Sequence, residues 1–119
     1  LHISAASDVY KRQLLFERAV NWKGHIYDLE EEHRIPDEEK PLYVVYPDES
    51  GKWRVQAVPV NSESFESRRA LPEPWRGIRD AELSELSGIP ECVFVHQSGF
   101  IGGNVTRNGA LAMATRALH

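Results

Sequence analysis

The stretch of sequence best suited to bind an anion is a glycine-rich segment near the C-terminal end. Gly99-Phe100-Ile101-Gly102-Gly103-Asn104 follows an apolar run and precedes an alanine-rich helical pattern over residues 106–118. Glycines let backbone N–H groups approach an anion closely, and the N-terminus of the next helix adds roughly half a positive charge. The segment therefore predicts a phosphate or carboxylate site. Donor side chains around it are His96, Ser98, Asn104, Thr106 and Arg107.

The same glycines also have a purely structural interpretation. The segment lacks the Lys-Ser/Thr ending of a nucleotide P-loop, and its glycine spacing is not that of the dinucleotide-binding fingerprint. Glycines that only permit a tight turn between a strand and a helix would give the same pattern. The residues alone leave both interpretations open.

A second candidate for phosphate binding is the basic stretch of residues 52–79. It holds six basic and three acidic side chains, and Trp53, Phe65 and Trp75 lie among its arginines. Arginines that bind phosphates and aromatic rings that stack on bases line many single-stranded nucleic acid paths. The alternative is a solvated arginine-rich loop whose tryptophans pack inward. The basic residues are Lys52, Arg54, Arg68, Arg69, Arg76 and Arg79.

Neither a catalytic set nor a metal site is evident from the sequence. The five histidines show no close ligand spacing, and no Ser, His and Asp set can be assembled from them. Residues 28–40 hold seven acidic and two basic side chains, a pattern typical of a solvated helix face. The only cysteine, Cys92, excludes an intramolecular disulfide. We therefore predict no catalytic residue and no metal ligand in this chain.

The hydrophobic pattern predicts a small α+β domain with a β-hairpin, a further strand and about three helices. Helical spacing recurs in three stretches, and two runs rich in β-branched and aromatic residues flank the turn-forming residues 47–51. The predicted elements are a helix over 22–34, a hairpin of 42–46 and 52–58, a long surface loop over 61–77, a helix over 79–86, a strand over 92–96, the glycine loop, and a helix over 106–118.

Composition limits the classes of protein to which the chain can belong. Its 119 residues are 41% hydrophobic, which suits one domain with a modest core. The net charge of −4 argues against a uniformly basic nucleic-acid-binding surface, although a local basic patch is compatible with it. No stretch approaches the roughly 20 apolar residues of a membrane helix. We therefore expect a soluble protein with no membrane partner.

The first thirteen residues are expected to lie outside the folded domain. Residues 4–13 (SAASDVYKRQ) read like one frame of a transposon-based sequencing adapter translated into protein. A natural disordered terminus is the alternative. On the adapter interpretation, residues 1–13 are unstructured, the folded domain covers 14–119, and the gene is truncated upstream.

Three motifs carry a resemblance to a known family. They are residues 52–60 (KWRVQAVPV), 71–77 (LPEPWRG) and 94–104 (FVHQSGFIGGN). Together they closely resemble the end of the melanocyte-proliferating-gene (MYG) exonuclease family, and the likeness runs from about Trp22 to Leu118. That family is similar to the DHH phosphoesterases, which hold a divalent metal, typically manganese, in an N-terminal domain. A smaller C-terminal DHH-associated domain holds the substrate.

The resemblance implies a function for the whole protein and a role for this part of it. It implies a metal-dependent exonuclease that degrades RNA from the 3′ to the 5′ end, with this chain as the C-terminal substrate-binding part. The N-terminal metal-binding catalytic domain would be missing, so the chain alone would be inactive. The implied location is nucleus and mitochondrion for a eukaryotic protein and cytoplasm for a bacterial one. The expected substrate-binding residues are Arg54, His96, Ser98, Gly99, Gly102, Gly103 and Asn104.

One residue departs from the pattern of the DHH-associated domain. That domain usually has a histidine after its glycines, whereas Asn104 follows Gly103 here. Two other functions also fit the residues. The chain would be a non-catalytic module that binds a small anionic ligand at the glycine segment, or an interaction module that contacts a protein partner through residues 61–77.

Overall fold

A six-stranded mixed sheet forms the centre of the molecule. The computed structural model describes residues 8–10, 12–18 and 21–119, with only the backbone of 8–10. Neighbouring strands run antiparallel except for the second and third, which are parallel. The strands are β1 (Asp8–Tyr10), β2 (Gln13–Leu15), β3 (Tyr43–Pro47), β4 (Trp53–Ala57), β5 (Cys92–Val95) and β6 (Ile101–Asn104). Their order in the sheet is β1-β2-β3-β4-β6-β5.

Helices cover both faces of this sheet. They are α1 (Lys23–Glu32), α2 (Asp80–Ser87) and α3 (Arg107–Ala117). Side chains alternate between the two faces of a strand, so Tyr43 and Val45 of β3 join the core formed with α2 and α3. Val44 points the other way, into a second core with Ile26 of α1. The α+β fold class predicted from the sequence is confirmed.

Most of the predicted elements are present. The helix predicted over 22–34 is α1, the helix predicted over 79–86 is α2, and the C-terminal helix is α3. The predicted hairpin is the antiparallel pair β3 and β4. Gly88 ends α2 with a left-handed φ of 73°, which glycine adopts without strain.

The glycine segment differs from its prediction as a loop. Ile101–Asn104 is strand β6, and it lies between β4 and β5. The turn comes earlier, where the Gly99 N–H donates to the His96 carbonyl at 2.8 Å and the φ of Gly99 is 78°. Gly102 and Gly103 pair with β4 on one side and β5 on the other, so their backbone groups take part in the sheet. These two glycines therefore do not form an anion-binding loop.

Residues 61–77 are also more ordered than a surface loop. The first half is the end of a small hairpin whose arms meet at the bridge between Pro59 and Ser67. The second half enters the core, where Leu71 and Trp75 are buried. These two side chains are apolar and large, so their burial fixes the path of the backbone between β4 and α2.

The N-terminal segment contributes backbone to the sheet. Strand β1 pairs with β2, and Gln13–Leu15 of β2 pairs in parallel with β3. Residues 8–10 and 13 are thus strand residues, which differs from the expectation that 1–13 is unstructured. Residues 1–7 lie outside the described part of the chain. The adapter origin of the segment stays a prediction.

Candidate functional site

A row of five paired residues crosses the sheet on the face that α1 only partly covers. The register pairs Tyr46 with Arg54, Arg54 with Gly103 and Gly103 with Phe94. An isolated bridge then pairs Phe94 with Arg79, just before α2. Residues that pair across antiparallel strands project from the same face of the sheet. The fold therefore brings two arginines from distant parts of the sequence to either side of one aromatic ring.

Gly103 makes this arrangement possible because it leaves room for the ring of Phe94. A Cβ atom at Gly103 would lie 3.0 Å from Cε1 of that ring, closer than carbon atoms normally approach. The guanidinium carbon of Arg54 lies 5.0 Å from the ring centroid, and that of Arg79 lies 5.9 Å from it. These are cation–π distances, so the ring holds both guanidinium groups near each other despite their like charge.

Asp48 orients Arg54 from the turn between β3 and β4. Its Oδ2 accepts a hydrogen bond from Nε of Arg54 at 3.2 Å, and its Oδ1 accepts from the hydroxyl and the N–H of Ser50. The side-chain hydrogen bond from Ser50 is the largest of the effects that lower the pKa of Asp48. The carboxylate therefore stays ionised and holds Nε, which leaves the outer nitrogens of Arg54 for a ligand.

These residues line a cavity of about 330 Å³. We call it the arginine cavity; its principal lining residues are Asp48, Lys52, Arg54, Arg79, Phe94 and Gly103. Among the described residues, no protein group accepts a hydrogen bond from the Nη atoms of Arg54 or Arg79. The lining holds three cationic side chains and one carboxylate, and a second carboxylate, that of Asp80, lies 3.9 Å from Nε of Arg79. Guanidinium groups with free N–H donors bind phosphate oxygens well, so the cavity suits a phosphate group.

A second cavity, of about 610 Å³, opens beside the first. We call it the Phe65 cavity; its lining includes Lys23, Tyr27, Gln56, Phe65, Ser98 and Phe100. Arg54 lines one cavity and Gln56 the other. These residues are two apart on β4, so their side chains project from the same face about 7 Å from each other. The two cavities are therefore neighbours on one surface.

The turn that leads into β6 borders the Phe65 cavity. Nδ1 of His96 lies 2.9 Å from the hydroxyl of Ser98 and accepts the N–H of Ser98 at 3.0 Å. The imidazole ring makes an edge-on contact with Phe100, with 4.9 Å between the ring centroids. The Gly99 carbonyl of this turn accepts a hydrogen bond from the Leu71 N–H at 2.8 Å, which anchors the turn to the segment before α2.

Two of the expected substrate-binding residues face away from both cavities. A Cβ atom at Gly102 would meet Leu71 and Val95, so this glycine faces the core shared with α2 and α3. Asn104 is completely buried. Its Nδ2 donates to the Pro90 carbonyl at 2.9 Å, and its Oδ1 accepts the N–H of Thr106, which caps α3.

The predicted site residues thus fall into three groups. Arg54 and Gly103 line the arginine cavity, the turn of His96, Ser98 and Gly99 borders the Phe65 cavity, and Gly102 and Asn104 lie inside the molecule. Sequence reasoning missed Phe94 as a site residue. It counted Arg79 in the basic stretch without placing it at a site. Only the pairing of residue 79 with residue 94 reveals their joint position.

The described residues offer no site for the manganese that the resemblance implies. They contain no group of three or more His, Cys, Asp or Glu side chains that could hold a metal ion. In the same residues, no helix has the length and apolar character needed to cross a membrane.

A comparison with family models identifies the family to which the chain belongs. The model of MYG1_exonuc, described as an uncharacterised protein family (UPF0160), matches residues 3–118. The chain therefore belongs to the MYG1 exonuclease family. The family resemblance read from the three sequence motifs is confirmed.

Individual relatives support the same assignment. The chain is 57% identical to a MYG1 protein of Schizosaccharomyces pombe over 88% of the chain and 32% of that protein. It is 52% identical to the MYG1 exonuclease of Homo sapiens over 87% of the chain and 27% of that protein, and 55% identical to the mouse MYG1 exonuclease over 82% and 25%. The chain thus spans about a quarter to a third of these curated relatives. No solved structure gives a significant match.

Proposed function

We propose that this chain is the substrate-binding part of a metal-dependent exonuclease that degrades RNA from the 3′ end. The names of the human and mouse relatives support exonuclease activity. RNA and the 3′ to 5′ direction come from the family resemblance. The observation that carries the proposal is the row in which Arg54 and Arg79 flank Phe94 above Gly103.

The chemistry assigned to this part is positioning. An exonuclease must hold a phosphodiester in a fixed place while water attacks the phosphorus atom, and fixed positioning is a large part of rate enhancement. The planar guanidinium groups of Arg54 and Arg79 would hold the phosphate oxygens, and Lys52 would add a third positive charge. The turn of His96 and Ser98 would border the path of the strand.

The cleavage step belongs to the rest of the full-length protein. We propose that a DHH-like domain, outside this chain, holds the divalent metal, which would supply an activated water and stabilise charge on the phosphate. The coverage of only about a quarter to a third of the relatives is consistent with a further domain in the family. The nucleus and the mitochondrion are the compartments that the resemblance implies for a eukaryotic member.

The proposal is tested by removing the arginines from the full-length protein. Arg54→Ala and Arg79→Ala should each lower the affinity for a short RNA roughly tenfold or more, because a hydrogen bond to a charged group is worth about 1.5–3 kcal/mol. Turnover at low substrate concentration should fall by a similar factor. Binding and cleavage of a 3′-labelled oligonucleotide provide the measurement.

Arg116→Ala is the matched control because it removes the same charge from an exposed position on α3, which packs on the opposite face of the sheet. It should leave binding and cleavage unchanged. If Arg54→Ala and Arg79→Ala behave like Arg116→Ala, the arginine cavity does not hold the substrate.

A further inference from the structure

The side chain of Phe65 is fully exposed, at 102% of its reference area, although it is a large apolar ring. Leaving such a ring in water forgoes about 2 kcal/mol of burial free energy, and a ligand that covers the ring would recover part of it. The other two aromatics of the basic stretch behave differently. Trp75 is buried, and Trp53 packs against the main core. Of the three, Phe65 alone has its whole ring free for a ligand.

The loop that carries Phe65 is held in a defined shape. The Val60 N–H donates to the Glu66 carbonyl at 2.8 Å, which closes the hairpin at its end. Inside the loop, the Glu63 N–H donates to Oδ1 of Asn61 at 3.0 Å, and the Glu66 N–H donates to the hydroxyl of Ser64 at 2.9 Å. These bonds fix the backbone on both sides of Phe65, so the ring is displayed by a structured support.

The Phe65 cavity combines flat apolar surface with hydrogen-bonding groups. Tyr27, Phe65 and Phe100 supply aromatic rings, and Gln56 and Ser98 supply an amide and a hydroxyl. Further lining residues add hydroxyls from three serines and one charge of each sign, from Lys23 and Glu63. Aromatic rings beside a few polar donors and acceptors are the surroundings that a nucleobase requires. The charges balance, so this cavity does not favour a phosphate.

The position of the Phe65 cavity connects it to the arginine cavity. Gln56 and Arg54 project from the same face of β4 about two residues, or roughly 7 Å, apart. A phosphate held by Arg54 therefore places the attached nucleoside within reach of Phe65 and Phe100. The hydroxyl of Tyr46 holds the amide of Gln56 at 2.7 Å, which fixes the group that lies between the two cavities.

We propose that the Phe65 cavity binds a nucleobase of the substrate strand, with the base stacked against Phe65 and next to Phe100. The inference rests on the proposed function, since it assumes that the arginine cavity holds the neighbouring phosphate. Stacking on a ring depends little on base identity, so this site supports degradation of many sequences. A protein partner docked on Phe65 is the rival occupant.

The test uses the full-length protein and two ligands, a short oligonucleotide and a strand of the same length without bases, under conditions that prevent cleavage. Phe65→Ala should weaken binding of the oligonucleotide about 5- to 150-fold, the range for loss of one stacked base. It should leave binding of the abasic strand unchanged. Phe65→Trp keeps a stacking surface and should retain the affinity; its fluorescence should change when the oligonucleotide binds.

Leu86→Ala is the control, because Leu86 is an exposed apolar residue of α2 that lines neither cavity. Phe65→Ala is expected to fold normally because the ring makes no core contact.

If Phe65→Ala binds both strands as the wild type does while Arg54→Ala loses both, the base site is wrong and the proposed function stands. If neither variant affects binding, the proposed function fails as well. Loss of a protein partner with intact oligonucleotide binding would overturn the base site in favour of a protein interface.

Discussion

Two adjacent glycines of β6 have different tasks, since they face opposite sides of the sheet. Gly103 lies under the ring of Phe94 in the arginine cavity, whereas Gly102 faces Leu71 and Val95 in the core. The sequence presents them as one motif and suggests a shared role in binding an anion. In the structure, Gly103 supports the site and Gly102 supports the packing of the core.

This division predicts different results for two matched substitutions. Gly103→Ala should push the ring of Phe94 by a few tenths of an ångström, because the new Cβ lies 3.0 Å from the ring edge. Oligonucleotide affinity should fall severalfold with little loss of stability. Gly102→Ala meets the Phe94 carbonyl at 3.0 Å and core side chains, so it should destabilise the protein by about 1–3 kcal/mol.

The measurements are oligonucleotide affinity and the free energy of unfolding, both in the full-length protein. Equal effects of the two variants on both quantities would contradict the assignment of the glycines to opposite faces.

At the residue scale, the sequence identifies Arg54 as a candidate but cannot identify its partners. Phe94 reads as an ordinary apolar strand residue, and its role depends on pairing with Gly103 and Arg79, which only the sheet register reveals. Asn104 was expected to contact substrate. Its amide instead hydrogen-bonds to Pro90, before β5, and to Thr106, at the start of α3. A single sequence does not reveal these contacts.

At the scale of elements, one buried ion pair connects α1 to the hairpin that carries Phe65. The guanidinium of Arg68 binds the carboxylate of Glu30 through two hydrogen bonds, of 2.5 and 2.7 Å, and its Nη1 also donates to the Pro41 carbonyl. Glu30 is therefore an exception to the solvated acidic face predicted for residues 28–40. Arg68 is held inside the molecule and does not contribute to the basic surface.

Glu30→Ala should destabilise the protein by about 3 kcal/mol or more, because it leaves the Arg68 charge buried without a partner. The loosened hairpin should also weaken oligonucleotide binding, since Phe65 loses part of its support. Thermal or denaturant unfolding measures the first effect. Glu31→Ala, an exposed neighbour on α1, is the control and should change stability by less than about 0.5 kcal/mol.

If Glu30→Ala were as stable as Glu31→Ala, the ion pair would not hold α1 and the hairpin together.

The predictability of the elements follows from the strength of their local patterns. The β3–β4 hairpin was predictable because β-branched residues flank an Asp-Glu-Ser-Gly turn, and the Asp48 carboxylate accepts three hydrogen bonds from that turn and from Lys52. β6 was not, because Ile-Gly-Gly-Asn has low strand propensity. β6 is a strand because it pairs with β4 and β5 on either side. Pairing between distant residues cannot be predicted from a local sequence pattern.

At the scale of the whole molecule, the sheet separates the main core from the two cavities that we propose bind the substrate. One face is covered by α2 and α3 and carries the main core, while the other is only partly covered by α1 and carries both cavities. The chain has a net charge of −4, yet the arginine cavity is cationic. The acidic residues are concentrated over 28–40, so the local field at the cavity differs from the field that the total charge suggests.

The salt dependence of binding shows whether the arginine cavity holds a phosphate of a nucleic acid strand. The logarithm of the association constant falls with the logarithm of salt concentration by about 0.7 for each phosphate neutralised on a single strand. The Arg54→Ala/Arg79→Ala double variant of the full-length protein loses the one phosphate contact of this cavity and should therefore show a slope about 0.7 shallower than that of the wild type. If the double variant binds with the same slope as the wild type, the arginine cavity holds no phosphate of the strand, and the proposed role of the two arginines is wrong.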